Sequence, residues 1–180
     1  MTTYIALLRG INVGGKNIIA MAALRAMFEA LEFANARTLL QSGNVLFEAP
    51  ARKTHELESH LEAETKKRLK AEPDCFVRTA AEWREVLAHN PFPREAKADP
   101  ARLHVMALKT EPSAAELKAL QAAIKGRETV GLWKRQAYVY FPDGAGNSKL
   151  TPRLLESKLG TRATGRNWNT AQKLLALAET

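Results

Sequence analysis

The chain presents the same succession of hydrophobic periodicities twice. Tyr4–Leu8 is a continuous apolar run fit for a strand buried on both faces. A glycine-rich stretch follows, and then Met21, Leu24, Phe28 and Leu31 recur at helical spacing. Thr38–Leu40 and Val45–Phe47 flank Ser42-Gly43-Asn44, which reads as a hairpin. Leu57, Leu61 and Leu69 mark a second helix with acids early and bases late, the order that suits the helix dipole. Cys75–Val77 closes the set as a short strand. Trp83, Val86 and Leu87 add a short helix, and the proline-rich run from Asn90 to Pro100 reads as a linker.

The second pass begins at Leu103–Leu108, again a strand. Ser113 with Glu116 forms a capping box that opens a helix through Leu117, Leu120 and Ile124. Val130–Trp133 and Tyr138–Phe141 make a second hairpin around Lys134-Arg135-Gln136. Thr151 as N-cap, Pro152 at the first helical position and Gly160 as the stop delimit another helix. The last strand is expected near Thr161–Thr164, and Leu174, Leu175 and Leu177 lie in a C-terminal helix. The order predicts an α+β chain of two tandem ferredoxin-like (β-α-β-β-α-β) halves with antiparallel sheets. The expected divisions are 1–89 for the first half, 90–101 for the linker, and 102–180 for the second half with its terminal helix.

Charge distinguishes the halves. The net charge is +8. Residues 1–90 hold 12 Lys/Arg against 11 Asp/Glu, whereas 91–180 hold 15 against 8. Such asymmetry suits nucleic acid or a phosphate-bearing small molecule as partner, and equally a basic solubilising surface. Cys75 is the only cysteine, so no disulfide forms within the chain and a reducing, cytoplasmic setting is expected. The apolar run before Arg9 is too short for a signal peptide, and no stretch reaches the roughly 18–20 residues of a spanning helix. No membrane role is expected.

Gly10–Lys16 satisfies G-x-x-x-x-G-K between a strand and a helix, where backbone N–H groups could close on phosphate oxygens. Asn17 stands where a triphosphatase needs a hydroxyl for Mg²⁺, and helical periodicity starts only near Met21. The expectation is therefore phosphate binding at most, without hydrolysis, beside the alternative of a glycine-rich turn that only lets the first strand reverse into its helix. In a β-α-β-β-α-β sheet the loop after the first strand and the hairpin tip share one edge. That brings Arg9, Asn12, Gly14, Gly15, Lys16 and Asn17 toward Gln41, Ser42 and Asn44 as a first candidate ligand site. In the second half, Lys149, Arg166, Asn167 and Trp168 form a second candidate, with Arg for phosphate and Trp for base stacking. The alternative, favoured for Trp168 and Asn169, is that Trp168 packs into the core beside the last helix and Asn167 or Asn169 caps it. The histidines are scattered, no zinc spacing exists, and no motif calls for a metal or a cofactor.

Four motifs carry a family resemblance: Leu8-Arg-Gly-Ile-Asn-Val-Gly-Gly-Lys-Asn17, Gln41-Ser-Gly-Asn-Val45, Ser148-Lys-Leu-Thr151 and Arg166-Asn-Trp-Asn-Thr170. Together they resemble the bacterial family known as domain of unknown function 1697. Gly165 departs from the alanine expected before the last motif. The resemblance implies a cytoplasmic bacterial α/β protein and no activity. The leading functional expectation is a binding protein for a phosphate-bearing partner, nucleic acid or a nucleotide-like ligand. Two other readings stand beside it: a small enzyme acting on a phosphorylated or nucleotide substrate, and a protein-interaction module whose motifs only maintain the fold.

Overall fold

The computed structural model describes residues 1–180. Its strands are β1 (Thr2–Leu8), β2 (Ala34–Leu39), β3 (Asn44–Ala49), β4 (Cys75–Thr79), β5 (Leu103–Leu108), β6 (Thr129–Trp133), β7 (Gln136–Tyr140) and β8 (Ala163–Asn167). The helices are α1 (Met21–Ala30), α2 (Thr54–Leu69), α3 (Ala80–Ala88), α4 (Pro93–Ala98), α5 (Ala114–Ala123), α6 (Pro152–Leu159) and α7 (Trp168–Ala178). Two antiparallel sheets result, ordered β2-β3-β1-β4 and β6-β7-β5-β8. The chain is therefore an α+β protein of two tandem halves. It divides into Met1–Arg84 with Leu174–Thr180, and Glu85–Lys173; the divisions fall inside α3 and α7. No helix is long and apolar enough to cross a membrane.

In the first unit the side chains of Tyr4, Ala6 and Leu8 join Leu24 and Phe28 of α1 and Leu57 and Leu61 of α2 in one core. Phe47 lies at its aromatic centre, 5.3 Å from the Tyr4 ring and 5.1 Å from Phe28. Ile5 and Leu7, which point to the other face, are also buried, so β1 needs an apolar residue at every position from Tyr4 to Leu8. The outer edge of β4 is guarded rather than left open. Glu62 accepts the Cys75 N–H at 2.9 Å, and Glu58 accepts the Val77 N–H at 2.9 Å. The Glu58 carboxylate also meets the Arg78 guanidinium at 3.3 Å, with both side chains at most 4% exposed.

The second unit packs Met106 and Leu108 of β5 with Leu120 of α5 and Leu155 and Leu159 of α6. Local chemistry sets the helix ends. Glu116 N–H bonds Ser113 Oγ at 3.2 Å while the Glu116 carboxylate receives the Ser113 N–H at 2.6 Å. Thr151 caps α6, Pro152 follows, and Gly160 ends it at φ +62°. Two elements differ from the sequence expectation. The linker contains α4, because Pro93 presets the first turn and Glu95, Ala96 and Lys97 are good helix formers. The last strand runs to Asn167 instead of stopping at Thr164, since pairing with β5 extends from Leu108↔Ala163 to His104↔Asn167. Tertiary pairing there overrides the polar composition.

The halves match in register as well as in order. Leu8 N–H bonds Gly43 O at 2.8 Å, and Leu108 N–H bonds Arg135 O at 3.0 Å. Arg9 N–H bonds Asp74 O at 2.9 Å, and Lys109 N–H bonds Arg162 O at 3.1 Å. Arg9 thus corresponds to Lys109, and Asp74 to Arg162.

Candidate functional site

The glycine loop leaves β1 through Gly10 and is pinned at both ends by the buried Ile11 and Ile19. Between them it forms a miniature hairpin. Asn12 N–H bonds Asn17 O at 3.1 Å and Lys16 N–H bonds Val13 O at 3.3 Å. Gly14 and Gly15 take φ of +61° and +75°, the pair of positive angles a type I′ turn requires. The loop turns back on itself before α1 begins, and Ala20 makes no side-chain cap there.

The loop and the β2–β3 tip do lie together. Asn12 Nδ2 donates to Gln41 O at 2.9 Å and to Ile19 O at 3.0 Å, and its Oδ1 accepts the Ile19 N–H at 2.8 Å. Asn17 Oδ1 accepts the Glu72 N–H, and Asn44 Nδ2 bonds Leu39 O and Ser42 Oγ. Arg9 pairs with Asp74 at 3.1 Å. The three asparagines and Arg9 therefore hold backbone and loops in place, while Lys16, Gln41 and Ser42 sit at the exposed surface. The Asn17 amide is engaged with the Glu72 N–H and lies at the limit of reach of Gly10 O, and it offers no hydroxyl for Mg²⁺. Incubation with ATP or GTP and Mg²⁺ is expected to release phosphate no faster than buffer does. Metal-dependent turnover that disappears in Lys16→Ala would contradict this.

The second set disperses. Lys149 is exposed in the loop before α6. Arg166 is a β8 residue whose register partner is Val105, not a loop residue. Its Nη1 donates to Thr164 Oγ1 at 3.0 Å and Gly165 O at 2.8 Å, and burial pushes its guanidinium down to about 10. Asn167 accepts the Thr170 N–H at 3.0 Å and so caps the first turn of α7, and Trp168 is buried. The structure keeps Lys149 on the surface, buries Trp168 and leaves Arg166 half-buried along β8.

A different cluster emerges where β5 ends and β8 begins. A concavity of about 540 Å³ is lined by Lys109, Thr110, Arg153, Ser157, Thr161 and Arg162, with Glu156 its only acid. Glu156 accepts the Ala163 N–H at 2.8 Å, which commits one oxygen to the edge of β8. Thr161 Oγ1 accepts the Thr110 N–H at 3.0 Å and fixes the rim. At the corresponding place in the first half, Asp74 faces Arg9; here Arg162 stands in place of the aspartate, and both positions are cationic. The unit containing this cluster, Glu85–Lys173, holds 15 Lys/Arg against 8 Asp/Glu. The excess of bases over residues 91–180 signals this charge in the sequence, but not the meeting of Lys109 with Arg153 and Arg162.

Residues 1–138 match the family described as "Protein of unknown function (DUF1697)". No curated protein matches the chain. Among solved structures, that of a conserved bacterial protein from Streptococcus pneumoniae is similar over 98% of each chain, with a TM-score of 0.77 and 22% sequence identity. At that identity the likeness shows the fold.

Proposed function

Because the chain belongs to the DUF1697 family of proteins of unknown function, which brings no activity with it, we propose from the site itself that it binds a phosphate-bearing partner. The partner is nucleic acid or a nucleotide-like ligand, and it seats on the basic concavity at the end of β5 and β8. The observation that carries the reading is the convergence of Lys109, Arg153 and Arg162 with three hydroxyl residues around one acid. Guanidinium groups match phosphate oxygens two at a time, and hydroxyls add neutral donors. The first-half loop contributes at most Lys16 and the exposed N–H groups of its turn.

The test is binding of a short single-stranded oligonucleotide and of a nucleoside monophosphate across about 50 to about 200 mM salt. An arginine hydrogen-bonded to a phosphate contributes about 1.5–3 kcal/mol, or roughly tenfold to a hundredfold in affinity. Arg153→Ala with Arg162→Ala is expected to weaken oligonucleotide binding by about a hundredfold and to lower the salt slope by about 1.4. Unchanged affinity and slope would remove the concavity from consideration. An effect confined to Lys16→Ala would move the site to the first half.

One observation favours a protein-interaction reading. Val13, Ile18 and Leu40 are 68%, 74% and 57% exposed on the joined loop and hairpin tip. Apolar side chains so placed suit a partner protein more than a polyanion. Under that reading, Val13→Ser with Ile18→Ser abolishes partner capture and leaves oligonucleotide binding alone.

A further inference from the structure

The register that relates the two halves fails in one place. Tyr4 pairs with Thr79 and Ala6 with Val77 in the first sheet, as His104 pairs with Asn167 and Met106 with Gly165 in the second. Tyr4 therefore corresponds to His104, Val77 to Gly165 and Arg78 to Arg166. The edge contacts extend the match to the helices. Glu62 accepts the Cys75 N–H and Glu156 the Ala163 N–H, so Glu58, four residues before Glu62, corresponds to Pro152.

In the first half this region is filled. The Tyr4 ring stacks on Phe47, its hydroxyl bonds the Arg52 backbone, and Leu57 and Glu58 are buried in the early turns of α2. In the second half α6 starts later, an imidazole replaces the phenol, and glycine replaces valine. A cavity of about 490 Å³ remains, walled by His104, Met106, Phe141, Leu150 and Leu155, and no acidic residue lines it. Its volume is that of a small-molecule site.

The cavity also has a directed polar group. On an edge strand, alternate amides point outward. The Ala163 N–H does so toward Glu156, and the Gly165 N–H, two residues on, follows suit. In the first half the corresponding N–H, that of Val77, is taken by the Glu58 carboxylate; Pro152 offers nothing equivalent. We propose that this cavity binds a small monocarboxylate, whose carboxylate takes the place that Glu58 holds in the first half and accepts the Gly165 N–H. Its apolar body, about the size of the missing tyrosine ring, lies between Met106, Phe141 and Leu155.

Arg166 supports the assignment by repeating Arg78. Arg78 Nη1 donates to Val77 O at 2.7 Å and to Glu58 at 3.3 Å. Arg166 Nη1 donates to Gly165 O at 2.8 Å, which sets its guanidinium at the same point of the strand edge. A guanidinium has five N–H groups and serves several acceptors at once. Arg166 stands beside the cavity and not in its wall, and the wall is uncharged at neutral pH, since burial pushes the His104 imidazole below its ordinary value. This site lies at the opposite end of β5 and β8 from the basic concavity and stands whether or not that concavity binds phosphate.

The test is a titration of the isotope-labelled protein, read at the Gly165 amide by NMR. Phenylacetate and 4-methylpentanoate are the probes; phenethylamine, 2-phenylethanol and inorganic phosphate are the controls. Both acids are expected to give saturating shifts at millimolar concentration, with every control at least tenfold weaker. Gly165→Val restores the first-half side chain and should abolish binding. Because its Cβ would lie 2.6 Å from Met106 Sδ, the flexible thioether must move. His104→Tyr fills the cavity from the other wall and should abolish binding independently. Equal response to the amine, the alcohol or phosphate, no response to either acid, or undiminished acid binding by a folded variant would each overturn the proposal. The wild-type selectivity decides even where a variant fails to fold.

Discussion

Replacing Glu58 by alanine is expected to lower the unfolding free energy by about 3–5 kcal/mol, the usual cost of removing one member of a buried ion pair. The reason is what stays behind. Arg78 is 3% exposed, and without Glu58 its charge is left without that carboxylate in a region water does not reach. The Val77 N–H loses its acceptor at the same moment, adding an unsatisfied donor on the edge of β4. For a chain of this length each kcal/mol shifts the midpoint by about 2–4 °C, so a fall of about 10 °C is expected. Glu58→Gln keeps an acceptor for Val77 and should lose less. Glu58→Leu with Arg78→Met removes both charges together and should recover the part of the loss due to the stranded charge, while the Val77 N–H stays without its acceptor. A Glu58→Ala loss under about 1 kcal/mol would mean that Arg78 has another adequate partner.

Gly43→Ala is the second large effect, expected at about 3 kcal/mol or more. Gly43 sits at φ +77°, where a Cβ costs roughly 1–2 kcal/mol. Its Cβ would also lie 2.9 Å from the Leu8 carbonyl oxygen and 2.9 Å from Leu8 Cβ. Leu8 O is backbone of a central strand whose own N–H bonds Gly43 O, so relief requires moving β1 against β3. Gly14→Ala is the control. It has the same sign of φ and nothing within 4 Å of its Cβ, so only the backbone term of about 1 kcal/mol remains. Urea midpoints of the two variants compare the effects directly. Equal losses would show that strand packing adds nothing at Gly43.

The local elements were legible because their causes are local. The Ser113–Glu116 capping box, the Thr151-Pro152 start and the Gly160 stop act within one turn of chain, and each appears where its residues stand. The two hairpins were legible for the same reason. The far end of β8 escapes a sequence reading because its deciding term lies elsewhere in the chain, whereas α4 has local causes that the surrounding prolines Pro91, Pro93 and Pro100 disguise as a linker. Arg166 and Asn167 look like loop residues and are strand residues because β5 pairs with them. The first candidate site was half legible: topology placed the Gly10–Asn17 loop beside the hairpin tip, as the Asn12–Gln41 bond shows. That Asn12, Asn17 and Asn44 spend their amides on neighbouring backbone could not be read from residue type, since an amide serves a ligand or a loop equally well.

By itself the sequence determined the class and plan of this protein. Hydrophobic period distinguishes strand from helix, and its repetition distinguishes two halves from one, because burial of one face is a property each segment carries with it. It also determined the charge, +8 and concentrated in the second half. Only the tertiary structure decided where that charge converges. Lys109 comes from the end of β5, Arg153 from α6 and Arg162 from the turn before β8, and antiparallel register brings them to one concavity. It likewise decided which positions of the two halves correspond, and so that Asp74 is exchanged for Arg162, Tyr4 for His104 and Val77 for Gly165. Register depends on hydrogen bonds between segments far apart in the chain, and a one-residue slip would carry every side chain to the other face. That information exists only once the strands have paired.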